Sequence, residues 1–167
     1  MFRQTLSMLF LCCSASVLAD DNKQQFSFGL GIGAMYTGLG VNAAMVSPTE
    51  LKYLSLGCIE YSSTYGTACG AGLGWIKTDL FDIQNNKHGL GLYVTSLGEE
   101  TTNSYTTSDQ GTTVYWHRSA VYGLGVSYSY FSNGIDKPGF TYGVSVHGSN
   151  AEFENKLGGF FQIGYQF

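Results

Sequence analysis

The 167-residue chain is poor in charge and almost free of proline. Asp, Glu, Lys and Arg together make 12%, and Pro occurs only at Pro48 and Pro138. So few charges suit a chain much of whose outer surface is not wetted. Basic residues are especially scarce. With 8 Lys+Arg against 12 Asp+Glu the formal net charge is -4, which argues against a nucleic-acid partner. After residue 19 no run approaches the ~20 apolar residues of a membrane helix. Metal-ligand spacing is missing as well: His88 and His117 stand apart from any other ligand type, so no metal is expected.

What is abundant is glycine and aromatics: Gly 23, Tyr 12 and Phe 11. The chain opens Met1-Phe2-Arg3, continues through an apolar stretch from Leu6 to Val17, and reaches Val17-Leu18-Ala19 before Asp20-Asp21. A basic start, an apolar middle and small residues before the acidic pair predict a cleavable secretory signal over residues 1–19. The mature domain is then 20–167. Cys12 and Cys13 leave with the leader. Cys58 and Cys69 remain, in an exported and oxidising setting.

The mature part alternates with a period of two, the mark of strands whose faces meet different surroundings. In residues 26–36 the even positions run Phe26, Phe28, Leu30, Ile32, Ala34, Tyr36, and the odd ones Ser27, Gly29, Gly31, Gly33, Met35. The same rule holds in 39–45, 53–59, 69–75, 89–95, 119–130, 140–147 and 161–167. Short turns separate them at Thr37-Gly38, around Pro48, near Ser63-Thr64, around Asn85-Asn86 and around Pro138. Residues 99–113 are Thr- and Ser-rich and read as a long polar loop, and 149–157 as a second one. Eight such strands, apolar outside and small inside, predict an all-β, eight-stranded antiparallel transmembrane β-barrel. An open edge in lipid would leave amide groups unsatisfied, so the last strand must pair with the first.

The final strand points Phe161, Ile163, Tyr165 and Phe167 one way, and Gln162, Gly164 and Gln166 the other. Ending on a bare Phe, it resembles the last strand of bacterial outer-membrane barrels, where Phe167, Tyr165 and Ile163 would form the signal read by the assembly machinery. In size, leader, strand count and terminal Phe, the mature chain resembles the small Gram-negative barrels of the outer-membrane protein X and A type. That resemblance implies an outer-membrane location, contact with membrane lipid and lipopolysaccharide, insertion by the barrel assembly machinery, a monomer, and no cofactor. It implies surface loops serving interaction or envelope integrity rather than catalysis.

Several groups invite a chemical reading. Gly29, Gly31 and Ala34 spell a loose dinucleotide fingerprint, but no helix follows and the flanks alternate as strand. The glycines instead face a lumen just wide enough for side chains. Inward bulk from Met35, Tyr53, Ile59, Ile76, Tyr93, Val121 and Phe131 argues against an ion pore, and a small apolar ligand in the Gly-lined lumen is a further alternative. Trp75 and Trp116 read as interface girdles. Arg118 and Lys156 stand where lipopolysaccharide phosphates would lie. Cys58 and Cys69 share outward parity on neighbouring strands, which predicts a cross-strand disulfide. His147-Gly148-Ser149-Asn150-Ala151 resembles the His-x-Ser-Asn-Ala segment of lipid A 3-O-deacylases, also eight-stranded barrels. That resemblance implies His147 as general base, Ser149 as nucleophile and Glu152 or Glu154 as orienting acid. Leu157-Gly158-Gly159 stands where that family has its Glu, and parity turns His147 and Ser149 toward the lumen.

Overall fold

In the computed structural model, which describes residues 24–62, 66–80, 85–108, 111–152 and 155–167, the chain is a closed barrel with strands in the order β1 to β8. The strands are β1 (Gln25–Gly33), β2 (Gly38–Val46), β3 (Glu50–Ser62), β4 (Gly66–Lys77), β5 (His88–Ser108), β6 (Gly111–Phe131), β7 (Gly139–Ser149) and β8 (Leu157–Gln166). Every neighbouring pair is antiparallel, and β8 closes on β1. The fold is thus the eight-stranded antiparallel barrel that the alternation implies. The leader, Glu154 and the turn near Ser63-Thr64 lie outside the described residues.

Parity sorts the side chains. Phe28, Leu30, Val41, Leu54, Leu56, Leu73, Leu92, Leu124, Val146 and Ile163 are exposed on the outside. Asn42, Ser55, Thr95, Ser127, Ser129, Thr141, Ser145, Gln162 and Gln166 are buried within. Met35, Tyr53, Ile76, Tyr93, Val121 and Phe131 fill the interior, joined by Tyr36, Leu51 and Ile135.

The first strand is shorter than its pattern. It ends at Gly33, and Ala34–Tyr36 form a 3-10 turn buried inside the barrel, so Ala34 and Tyr36 do not continue the outward row. The reason is backbone geometry. Gly33, Thr37 and Gly38 all have positive φ (116°, 55° and 81°), which swings the link between β1 and β2 inward. Glycines in the wall make room. A Cβ at Gly40 or Gly57 would collide with the Tyr36 carbonyl oxygen, and one at Gly31 or Gly164 with the Tyr36 ring.

At the opposite end the turns knit together. Thr78 N–H donates to the Thr49 carbonyl (2.9 Å), Ile135 N–H to the Asn86 carbonyl (3.0 Å), and Asn86 Nδ2 to Asp136 Oδ1 (2.6 Å). Ile135 is pressed under the barrel beside the buried cluster that includes Phe131 and Val46. The start of β1 at Gln25 and the C-terminal Phe167 reach this side, where Phe167 N–H donates to the Phe28 carbonyl (2.7 Å).

Residues 99–108 and 111–113 are strand rather than loop. Strands β5 and β6, 21 residues each, stay paired from His88↔Tyr130 to Ser108↔Gly111. Neighbouring ladders stop much earlier, with β4 at Thr95 and β7 at Gly123. The upper part is therefore a two-stranded arm standing clear of the wall. Its Thr residues are β-branched and suit a strand whose two faces are both wet. A register shift between Ser96 and Gly98, with Gly98 at φ 114°, marks where the arm leaves the barrel.

Candidate functional site

The interior carries a connected set of polar side chains anchored on the inturned segment. Tyr36 Oη pairs with Thr141 Oγ1 (2.8 Å), and Thr37 Oγ1 with Ser55 Oγ (2.7 Å). Thr95 Oγ1 donates to Thr37 Oγ1 (3.0 Å), Met35 N–H to Gln162 Oε1 (3.3 Å), and Asn42 Nδ2 to the Met35 carbonyl (3.4 Å). One short segment is thus tied to strands β2, β3, β5, β7 and β8. Lower down, Gln166 Nε2 donates to Ser27 Oγ (2.8 Å) and Asn42 Oδ1 (3.1 Å), while Ser27 Oγ donates to the Phe167 carbonyl (2.7 Å). Uncharged donors and acceptors bonded to one another, with Gln166 Oε1 left buried without a partner among the described residues, make a filled axis.

Nearer the arm lies the segment that resembles the deacylases. His147 projects inward from β7, half-buried, packed against Phe160 (centroids 5.1 Å) and edge-on to Tyr93 (6.4 Å). Tyr93 Oη donates to Ser145 Oγ (3.1 Å) and lies 3.1 Å from His147 Nδ1. With the tyrosine proton given to Ser145, Nδ1–H is the donor to Tyr93, and the ring's lone pair sits at Nε2, beside Gly158. Ser149 closes β7, and its Oγ accepts the Ala151 N–H (3.4 Å). Among the described residues no hydrogen bond joins His147 to Ser149. Glu152 is exposed, and its N–H donates to Glu100 Oε2 (2.9 Å). Glu100, Thr102, Ser119, Asn150 and Glu152 line a polar crevice of about 140 Å³ at the foot of the arm.

Tyr93 was not visible as a partner of His147, because strands β5 and β7 meet only across the lumen. Gln162 and Gln166 were visible as polar inward positions, without their partners. Among the described residues no three His, Cys, Asp or Glu side chains come together as a metal site.

On the outside, Cys58 and Cys69 face each other in register between β3 and β4 and are joined by a disulfide. Trp116 sits on the arm beside Asn103, well exposed, and Arg118 on the same face pairs with Glu99 (3.8 Å). Phe167, Tyr165 and Phe140 form an edge-to-face aromatic row at the turn end, with centroids 4.9 and 5.2 Å apart. Ile163 is exposed on the same wall.

Trp75 stands near the turn end too, within a compact charged group. Its Nε1 donates to Glu50 Oε2 (3.0 Å), and Lys52 Nζ donates to Glu50 Oε1 (3.0 Å). Lys77 Nζ pairs with Asp79 Oδ2 (3.1 Å), and both lysine ammoniums lie 5.7 Å from the Trp75 ring. Compared with known proteins, the chain matches no family model, no curated protein and no solved structure.

Proposed function

We propose that the chain is a small, non-enzymatic outer-membrane barrel of a Gram-negative bacterium, held in the bilayer by its wall and presenting the β5–β6 arm at the cell surface for interaction or envelope integrity. The observation that carries this reading is the wall itself. Large apolar side chains are exposed on every strand, while Ser, Thr, Asn and Gln side chains are buried inside. In water such a surface would aggregate; in lipid it is solvated. Compact turns at one end and a long polar arm at the other fit a periplasmic and an outer face. The filled axis supports a role without ion conduction.

The reading is tested by expressing the full chain with its leader and fractionating the cells. Recovery in outer membranes as a species whose gel mobility changes on heating, with protease clipping the arm on intact cells, is the expected result. Recovery as a soluble periplasmic protein would refute it.

A second reading, a lipid A ester hydrolase, draws on the His147–Ala151 segment alone. It requires Ser149 to reach His147 Nε2, a contact different from the Ala151 bond described above. Lipid A mass spectrometry from cells carrying the native chain or Ser149→Ala decides it. Loss of a hydroxyacyl chain only with the native protein establishes the hydrolase, and identical lipid A in both excludes it.

A further inference from the structure

The Trp75 group borders a groove that the interior does not explain. On the outer wall, Leu80, Leu90, Leu92 and Val126 line an apolar depression of about 630 Å³ whose rim includes Trp75 and Lys77. Leu92 and Val126 lie opposite each other on β5 and β6, so the depression follows the wall. The neighbouring charges cancel: Glu50 and Asp79 stand against Lys52 and Lys77. A net anionic ligand gains little from such a group. A zwitterion matches it.

We propose that this wall binds one zwitterionic glycerophospholipid with a primary ammonium headgroup, its phosphate on Lys77, its ammonium on Asp79, and an acyl chain in the groove of Leu80, Leu90, Leu92 and Val126. The proposal rests on the membrane reading above. Lys77 Nζ carries three N–H donors, which lets it meet phosphate oxygens beside its ion pair with Asp79. Asp79 uses Oδ2 for Lys77, and its other oxygen has no partner among the described residues. The aspartate side chain is 45% exposed, and the lysine 31%. Trp75 is anchored by its bond to Glu50, with the Lys52 and Lys77 ammoniums over its ring, which fixes the rim of the groove. A primary ammonium donates to a carboxylate; a trimethylammonium has no N–H to give, and a glycerol headgroup has no cation.

Trp75 is its own reporter. The full chain carrying Trp116→Phe is reconstituted in vesicles containing acyl-brominated phosphatidylethanolamine, phosphatidylglycerol or phosphatidylcholine at equal mole fraction. Quenching of Trp75 is expected to favour the ethanolamine lipid by about two- to fivefold, the range of an exposed charge-assisted pair. Asp79→Asn brings that lipid down to the choline level, and Lys77→Met lowers its quenching further. Equal quenching by all three headgroups, which is ordinary annular lipid, overturns the site while leaving the barrel in its membrane. Absence of quenching by every lipid, for a chain whose heat-dependent gel mobility shows it folded, overturns the membrane reading and the site together.

Discussion

Removing the Tyr36 side chain should be the most damaging single truncation in the barrel, and its cost can be built from the contacts described. The residue is 0% exposed, its ring lies against Gly31 and Gly164, and its hydroxyl pairs with Thr141. Tyr36→Phe strips the hydroxyl and leaves Thr141 Oγ1 without its partner, a cost of about 1–3 kcal/mol for a buried unsatisfied group. Tyr36→Ala removes the ring as well, and aromatic-to-alanine truncations in cores cost about 3–5 kcal/mol. The neighbouring glycines have no side chains to collapse into the gap, so the sum should reach about 4–8 kcal/mol. Tyr36→Phe combined with Thr141→Val removes both polar partners and should return to within about 1 kcal/mol of the native chain. The assay is urea unfolding of the barrel folded into lipid vesicles, followed by tryptophan emission and by gel mobility without heating. An alanine variant that unfolds with the native midpoint would show that the inturned segment does not hold the barrel. A double variant no better than Tyr36→Phe would show that the Thr141 pairing is not the source of the loss.

Three further outcomes are expected. Cys58→Ser should lower stability by about 2–3 kcal/mol, since the bridge closes a loop of 11 residues; an unchanged mass after alkylation without reductant in the native chain checks that the bond is present. Phe167→Ala should cut the folded amount recovered from cells several-fold. Its purified barrel should lose no more than about 1.5 kcal/mol, because the ring is 58% exposed and contributes one aromatic pair with Tyr165; equal losses in both assays would make Phe167 a structural residue rather than an assembly signal. Replacing residues 101–118 by a two-residue turn should cost within about 1 kcal/mol in urea, because neither β4 nor β7 pairs with that part of the arm; a large loss would show that the arm supports the wall.

The wall was legible because lipid and lumen make opposite demands on successive residues. Rows such as Leu54, Leu56, Leu73 and Trp75, or Leu124 and Val126, need no partner to announce their face. The inturned segment was hidden by coincidence, because Ala34 and Tyr36 prolong the apolar alternation of β1. Only the cluster Gly33, Thr37-Gly38 hints that the chain leaves the sheet there. The arm was hidden for the opposite reason. A strand wetted on both faces shows no alternation of polarity, and its Thr and Ser content imitates a loop. His147 and Ser149 were legible as neighbours on one face, but their actual partners, Tyr93 and Ala151, depend on closure of the barrel and on the local turn.

The seam between the first and last strands has the shortest ladder, four residue pairs from Gly29↔Gln166 to Ile32↔Ile163. What the backbone omits there, side chains supply from within. Tyr36 wedges between Gly31 and Gly164, one on each seam strand, and Gln162 and Gln166 reach from β8 to Met35, Ser27 and Asn42. The inturned segment therefore works as a keystone: it can be seated only when the two ends of the sheet meet, and once seated it locks them. The same contacts that fill the lumen turn the barrel's most openable joint into one that yields only if its interior is unpacked first.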